Sequence, residues 1–230
     1  MSRASPAPAS PETSELILEA AGRIFARKGF RSTTVRQITQ AAGVNVAAVN
    51  YHFHDKKELY TRVLKRAHQA ADRTAAADLA DHPQKRLRAF IHGFVEYLFD
   101  PRRPDWQGRL LAREIAEPSP ALDRLAAESV RPVKEQLCAI VRELLGPGST
   151  DLQVQRSALS VIGQCLHYVH CREMIKRLFP NQPEKARDAG ALADHIFHFS
   201  LAGITALRRQ IKAETKRHRY FSKHSRPSIS

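Results

Sequence analysis

The chain has 230 residues, 43% hydrophobic and 26% charged, enough apolar content for a packed core and too much for global disorder. No stretch reaches the roughly 18 uninterrupted apolar residues of a membrane span, and three cysteines (Cys138, Cys165, Cys171) are too few and odd in number for a disulfide scaffold. The net charge of +14 is uneven: residues 1–66 hold 11 Lys/Arg against 5 Asp/Glu and residues 212–230 hold 6 against 1, a basic footprint suited to a nucleic acid.

In chain order, residues 1–11 are rich in Pro, Ala and Ser and read as a disordered arm with no apolar leader. A cytoplasmic, nucleoid-associated chain with reduced thiols and no membrane partner is expected. From Glu12 the pattern turns helical. Leu16, Ala20 and Ile24 recur at four, as do Ile17, Ala21 and Phe25, and Gly29 ends the helix. Thr34 and Gln37 space as a capping box for a short helix whose core face is Val35, Ile38 and Ala42, closed by Gly43. Asn45 caps a third helix running to about Phe53, and Asp55 with Glu58 spaces as a second capping box that opens a fourth. Residues 12–60 therefore have the proportions of a three-helix, helix-turn-helix domain.

Longer helices follow, at 83–99, 105–116, 120–145 with a kink expected at Pro132, 151–179 and 184–213. No segment alternates with strand period. The fold class is all-α: a small N-terminal helix-turn-helix domain, a larger helical domain over 61–213, and a basic mobile tail over 214–230.

The third helix carries the functional question. On a helical wheel Val46, Val49 and Phe53 face the core, while Ala47, Ala48 and Tyr51 point outwards, flanked by Asn50 and His52. A helix lying in a major groove needs small residues at closest approach and hydrogen-bonding side chains beside them. Asn50 suits an adenine edge. Tyr51, His52 and Lys56 suit phosphate oxygens. Thr33 and Thr34 open the preceding helix, whose first amides favour a phosphate.

The run from Gly29-Phe30 through Thr33-Thr34-Val35, Ile38, Ala42-Gly43-Val44, Tyr51-His52-Phe53, Lys56 and Leu59 resembles the DNA-binding domain of the tetracycline-repressor (TetR) family. That resemblance implies phosphate contacts from Thr33, Thr34, Tyr51, His52 and Lys56. It places Asn45, Ala47, Ala48 and Asn50 near base edges. Many members carry Tyr where this chain has Asn50, which makes Asn50 the residue to watch for sequence choice. Residues 106–125 look like a segment of the CecR-like branch.

The same resemblance implies a helical ligand-binding and dimerisation domain, the two last long helices of each subunit forming a four-helix bundle. Stripes of Ala158, Ile162, Leu166 and Val169, and of Leu192, Ile196, Phe199, Gly203 and Leu207, suit such an interface. So do the small residues Gly163 and Ala202. Phe90, Phe94, Trp106, Leu110 and Tyr168 are candidates for lining a small-molecule pocket. Arg109, Arg113 and Glu114 either anchor a ligand carboxylate or pair along their helix. His167, His170 and Cys171 share a helical face, with His195 and His198 on the last helix, but no paired Cys-x-x-Cys accompanies them, and no metal or cofactor is expected.

No nucleophile elbow, phosphate-cradling glycine loop or His-Glu-x-x-His pattern occurs, so an enzyme is not expected. The expected function is a homodimeric repressor released from a palindromic double-stranded DNA operator by a small-molecule effector. The alternative is an architectural DNA-binding protein that takes no ligand.

Overall fold

The computed structural model describes residues 11–68, 74, 77–78, 81–180 and 188–224, with side chains as far as 217. The described residues are helices and turns, without a strand, and no helix among them is long and apolar enough to cross a membrane. They form two compact units. The described residues within 1–69 and 101–131 make up one, and those within 70–100 and 132–230 the other.

The first unit starts with α1 (Pro11–Lys28), which buries Ile17, Leu18, Ala21, Ile24 and Phe25 along one stripe, while Leu16 stays exposed. In α2 (Val35–Ala42) Thr34 accepts from the Gln37 N–H and the Gln37 side chain accepts from the Thr34 N–H, so both halves of the expected box form. Gly43 (φ 67°) ends it in the left-handed region, where a Cβ would be strained, and its tight exit leads straight into α3 (Val46–Phe53). Asn45 caps α3 through a bond from the Ala47 N–H of 3.0 Å.

In α4 (Lys56–Ala67) only half of the second expected box forms. Asp55 accepts from the Glu58 N–H at 2.7 Å, but the Glu58 carboxylate reaches instead to Arg124 at 2.6 Å. Between α3 and α4 sits His54, with φ 62° and ψ −55°, spanned by a bond from the Asp55 N–H to the Phe53 carbonyl of 2.6 Å. This is a γ-turn of the rare, strained hand.

α5 (Pro83–Phe99), capped by His82, belongs to the other unit. The chain then returns for α6 (Asp105–Ala116) and α7 (Leu122–Leu125). α6 packs on α1 and α4. Gly22 makes this possible: a Cβ there would lie 2.7 Å from atoms of the Trp106 ring. The Trp106 indole N–H bonds Glu19 at 3.0 Å, and Arg66 on α4 pairs with Glu15. The shared core holds Phe25, Ile38, Val49, Phe53, Leu59, Tyr60, Leu64 and Leu110, all nearly closed to solvent. Each large apolar side chain so buried stabilises by roughly 1.5–3 kcal/mol.

After α7 the chain makes a π turn over Ala126–Val130, with the Arg131 N–H donating to Ala126, and continues as α8 (Arg131–Leu145). Pro132 was expected to kink this segment. It has no N–H to give, and the widened turn just before it is where the helix absorbs the missing bond.

In the second unit, α5 packs on the long α11 (Ala189–His224) and on α9 (Asp151–His170). Leu87, Phe90, Ile91, Leu137, Ile140, Val161, Ala193 and Ile196 form its core. Arg88 and His92 both bond Asp194 Oδ1, at 2.8 and 2.9 Å, clamping α5 to α11. Those bonds, the Arg88 bond first, hold the Asp194 carboxyl below the usual carboxylate range.

Three expected boundaries change. The helix expected over 151–179 is interrupted at Cys171, and α10 (Arg172–Leu178) follows. The expected start at 184 lies outside the described residues, as do residues 1–10. Residues 214–224, expected as a mobile tail, extend α11 as helix; 225–230 also lie outside. The compact units do not divide at 60/61, because α4 and residues 101–131 pack with the N-terminal helices.

Candidate nucleic-acid interface

The geometry of α2–turn–α3 is set by local bonds. Both helices are eight residues long, too short to persist alone. They are held by caps at Thr34, Gly43 and Asn45, and by Ile38, Val49 and Phe53 plugged into the core.

The burial of α3 shifts the expected wheel. Val49 and Phe53 are buried, but Val46 is 45% exposed and Ala48 is packed against the core. The buried arc is therefore centred between Val49 and His52. The outward strip is Val46, Ala47, Asn50 and Tyr51, the last 71% exposed. Ala47 and Asn50 stay on the expected face, together with the cap residue Asn45, whose side-chain oxygen is used by the Ala47 N–H and whose amide nitrogen is left to donate. Ala48 is not on that face, and Val46, expected in the core, is. The missed signal was Ala48 itself, since a small apolar residue is compatible with either side.

Two of the expected phosphate contacts are corrected. Thr33 is buried and its hydroxyl donates to the Gly29 carbonyl at 2.7 Å. Lys56 points inwards: its ammonium donates to the Phe30 and Thr33 carbonyls, both at 3.0 Å, and stands 4.5 Å over the Phe30 ring. The two residues staple the α1–α2 loop, which fixes where α2 begins. His52 is half-buried, and its Nε2 is buried with no hydrogen-bond partner among the described residues. Thr34 and Tyr51 are exposed and keep hydroxyl donors for a phosphate. Arg36 on α2 and Lys57 at the start of α4 are further exposed cations of this unit that the spacing did not single out.

The five residues expected to line one effector pocket fall into different cores. Trp106 and Leu110 belong to the first unit's core, Phe90 and Phe94 to the second's, and Tyr168 packs against the latter. Of the possible ligand anchors, Arg109 bonds Asp105 at 3.4 Å and Arg113 bonds Glu117 at 3.2 Å. Glu114, 1% exposed, accepts from the Tyr60 hydroxyl at 2.7 Å and from the Ser119 N–H and hydroxyl at 3.0 and 2.8 Å. All three therefore have internal partners. Burial, then the bond to Glu114, drives the Tyr60 phenol far above its ordinary range.

The expected dimer stripes also divide. Ile196 is fully buried in its own unit's core, and Ile162 and Leu166 pack half-buried against that core. Phe199 is 66% exposed, and Ala202, Gly203, Ala206 and Leu207 are exposed on the same helix. The His167, His170, Cys171, His195 and His198 set does not converge: among the described residues no three His, Cys, Asp or Glu side chains group to hold a metal.

Residues 17–63 match the family model of bacterial regulatory proteins of the tetR family, and residues 83–204 match the C-terminal domain of the HTH-type transcriptional dual regulator CecR. The HTH-type transcriptional repressor NicS of Pseudomonas putida is 23% identical over 206 residues, covering 86% of this chain and 93% of that repressor. A putative transcriptional regulator from Pseudomonas aeruginosa shares the fold with TM-score 0.64 at 21% identity, over 88% of this chain and 95% of that one. The regulator FadR from Bacillus subtilis, solved in complex with stearoyl-CoA, shares it with TM-score 0.62 at 18% identity, over 82% and 98%.

Proposed function

The chain belongs to the TetR family of bacterial regulatory proteins and carries a C-terminal domain of the CecR kind, and from that premise we propose that it is a homodimeric repressor which a small-molecule effector releases from its operator. The observation that carries the reading is the outward strip of α3. Val46 and Ala47 offer low, apolar relief for close approach to base edges and thymine methyls. Asn50 offers a donor and an acceptor beside them, and Tyr51 and Thr34 offer hydroxyls to phosphates on either side.

One such helix reads only a few base pairs, so a two-fold dimer is the natural reader of a palindrome. The exposed strip Phe199, Ala202, Gly203, Ala206 and Leu207 on α11 supports self-association, because small residues let a second helix come close around an aromatic anchor. Effector release requires a ligand that prefers the conformation in which the two α3 helices do not fit the operator. The effector screen begins with acyl-CoA, the ligand class in the FadR neighbour.

The test starts with an operator selected from random duplexes by the full chain. Asn50→Ala should weaken that operator by about ten- to a hundredfold, the loss of one bidentate base contact, while affinity for random duplex barely changes. Phe199→Glu should turn the sedimenting dimer into a folded monomer. Equal affinity for selected and random duplexes, with a steep salt dependence, would instead favour a ligand-independent architectural protein.

A further inference from the structure

A cavity of about 390 Å³ opens in the first unit between the end of α1 and the end of α6, lined among others by Lys28, Phe30, Arg31, Tyr60 and Pro118. Its size is within the range of small-ligand sites. It shares no residue with the outward strip of α3 or with the exposed face of α11.

Its charge is unbalanced. Lys28, Arg31 and Arg113 line it with one carboxylate, Glu117, and that carboxylate is bonded to Arg113. Lys28 and Arg31 have no ion-pair partner among the described residues. Arg113 also donates to the Arg27 carbonyl at 3.1 Å, capping α1. A flat apolar wall is made by the Phe30 and Tyr60 rings, 5.0 Å apart, with Pro118, and Ser32 and Ser119 also line the cavity.

We propose that this cavity binds a small organic oxyanion with a flat apolar body, of the aromatic carboxylate kind, its charged end held by Lys28 and Arg31 and its body against Phe30 and Pro118. Such a ligand would tie the end of α1 to the end of α6 across the loop that leads into α2. Any consequence for duplex binding rests on the DNA-binding reading above; the binding itself does not.

The experiment is a backbone-amide NMR titration of the full chain with benzoate, and with benzamide and inorganic phosphate as controls. Benzoate should move the Gly29, Phe30, Ser32 and Ser119 amides saturably, and benzamide should bind far more weakly. The exposed double variant K28Q/R31Q should keep its melting temperature and weaken benzoate by about five- to tenfold, as for two partly screened charges. Shifts that fail to saturate, equal binding of benzamide, or unchanged affinity in the double variant would overturn the proposal. Phosphate binding as tightly as benzoate at the same amides would overturn the ligand class. If the double variant loses affinity for duplex DNA while benzoate moves none of these amides, the cations serve the DNA backbone and the proposal falls.

Discussion

Gly22→Ala sets two well-known effects against each other. In a helix interior this change ordinarily stabilises by about 0.5–1 kcal/mol, because alanine loses less backbone entropy on folding. Here the new methyl would lie 2.7 Å from three atoms of the Trp106 indole. A relaxed carbon–carbon contact is roughly 3.5–4.0 Å, so α1 and the indole must separate by about 1 Å. The indole cannot swing aside cheaply. It is buried, and its N–H is bonded to Glu19 at 3.0 Å. Overpacking of this kind costs about 1–3 kcal/mol. Together with the propensity gain, the net is a loss of about 0.5–2 kcal/mol.

Urea unfolding followed by tryptophan emission measures this directly, since Trp106 is the only tryptophan in the chain. Gly108→Ala on α6 is the control. Nothing lies within 4 Å of its added Cβ, so it should gain the ordinary propensity increment. If Gly22→Ala is as stable as Gly108→Ala, with native tryptophan emission unchanged, the close packing of α6 on α1 is not what holds this unit together.

Other outcomes follow from the same geometry. His54→Gly removes the penalty of a positive-φ γ-turn and should raise the unfolding midpoint by the equivalent of about 1 kcal/mol; a lower midpoint would mean that the His54 side chain contributes more than its backbone costs. Lys56→Met should destabilise by about 1–3 kcal/mol through two lost carbonyl bonds. It should also leave the salt slope of DNA binding unchanged, whereas loss of a true phosphate contact would reduce that slope by about 0.9. Tyr60→Phe should destabilise by about 1–3 kcal/mol, because Glu114 loses a buried donor. Its pH dependence has a definite sign. The folded phenol stays protonated, while in the unfolded chain it ionises near 10. The native protein should therefore lose stability as pH rises above about 10, and Tyr60→Phe should flatten that alkaline limb; an identical limb in both proteins would place the titration elsewhere.

Much of the helix-turn-helix was legible because its signals are local. The Thr34–Gln37 box, the left-handed Gly43 and the Asn45 cap each depend on atoms within three or four residues, and all form where the spacing put them. The stripes of α1 and α5 were equally readable, since a run of several apolar residues fixes a helix phase. Over the eight residues of α3 it does not: Val46 and Ala48 have small apolar side chains on either edge of the stripe, and their exchange turned the outward face by about a quarter of a circle.

Lys56 and Thr33 illustrate the other limit. Both are residue types that suit a phosphate, and nothing in the string shows that the Phe30 and Thr33 carbonyls lie within reach of the Lys56 ammonium. That contact spans more than twenty residues, as the Tyr60–Glu114 bond spans more than fifty. Spacing alone settles the helical class, the caps at Thr34, Gly43 and Asn45, and the short helix that follows the Gly43 turn. Long-range packing sets which side chains on α3 remain outside, brings α6 onto the N-terminal helices through Gly22 and Trp106, and makes Ile196 core while Phe199 is left uncovered. Local bonds are written in spacing, whereas burial depends on what the rest of the chain brings alongside.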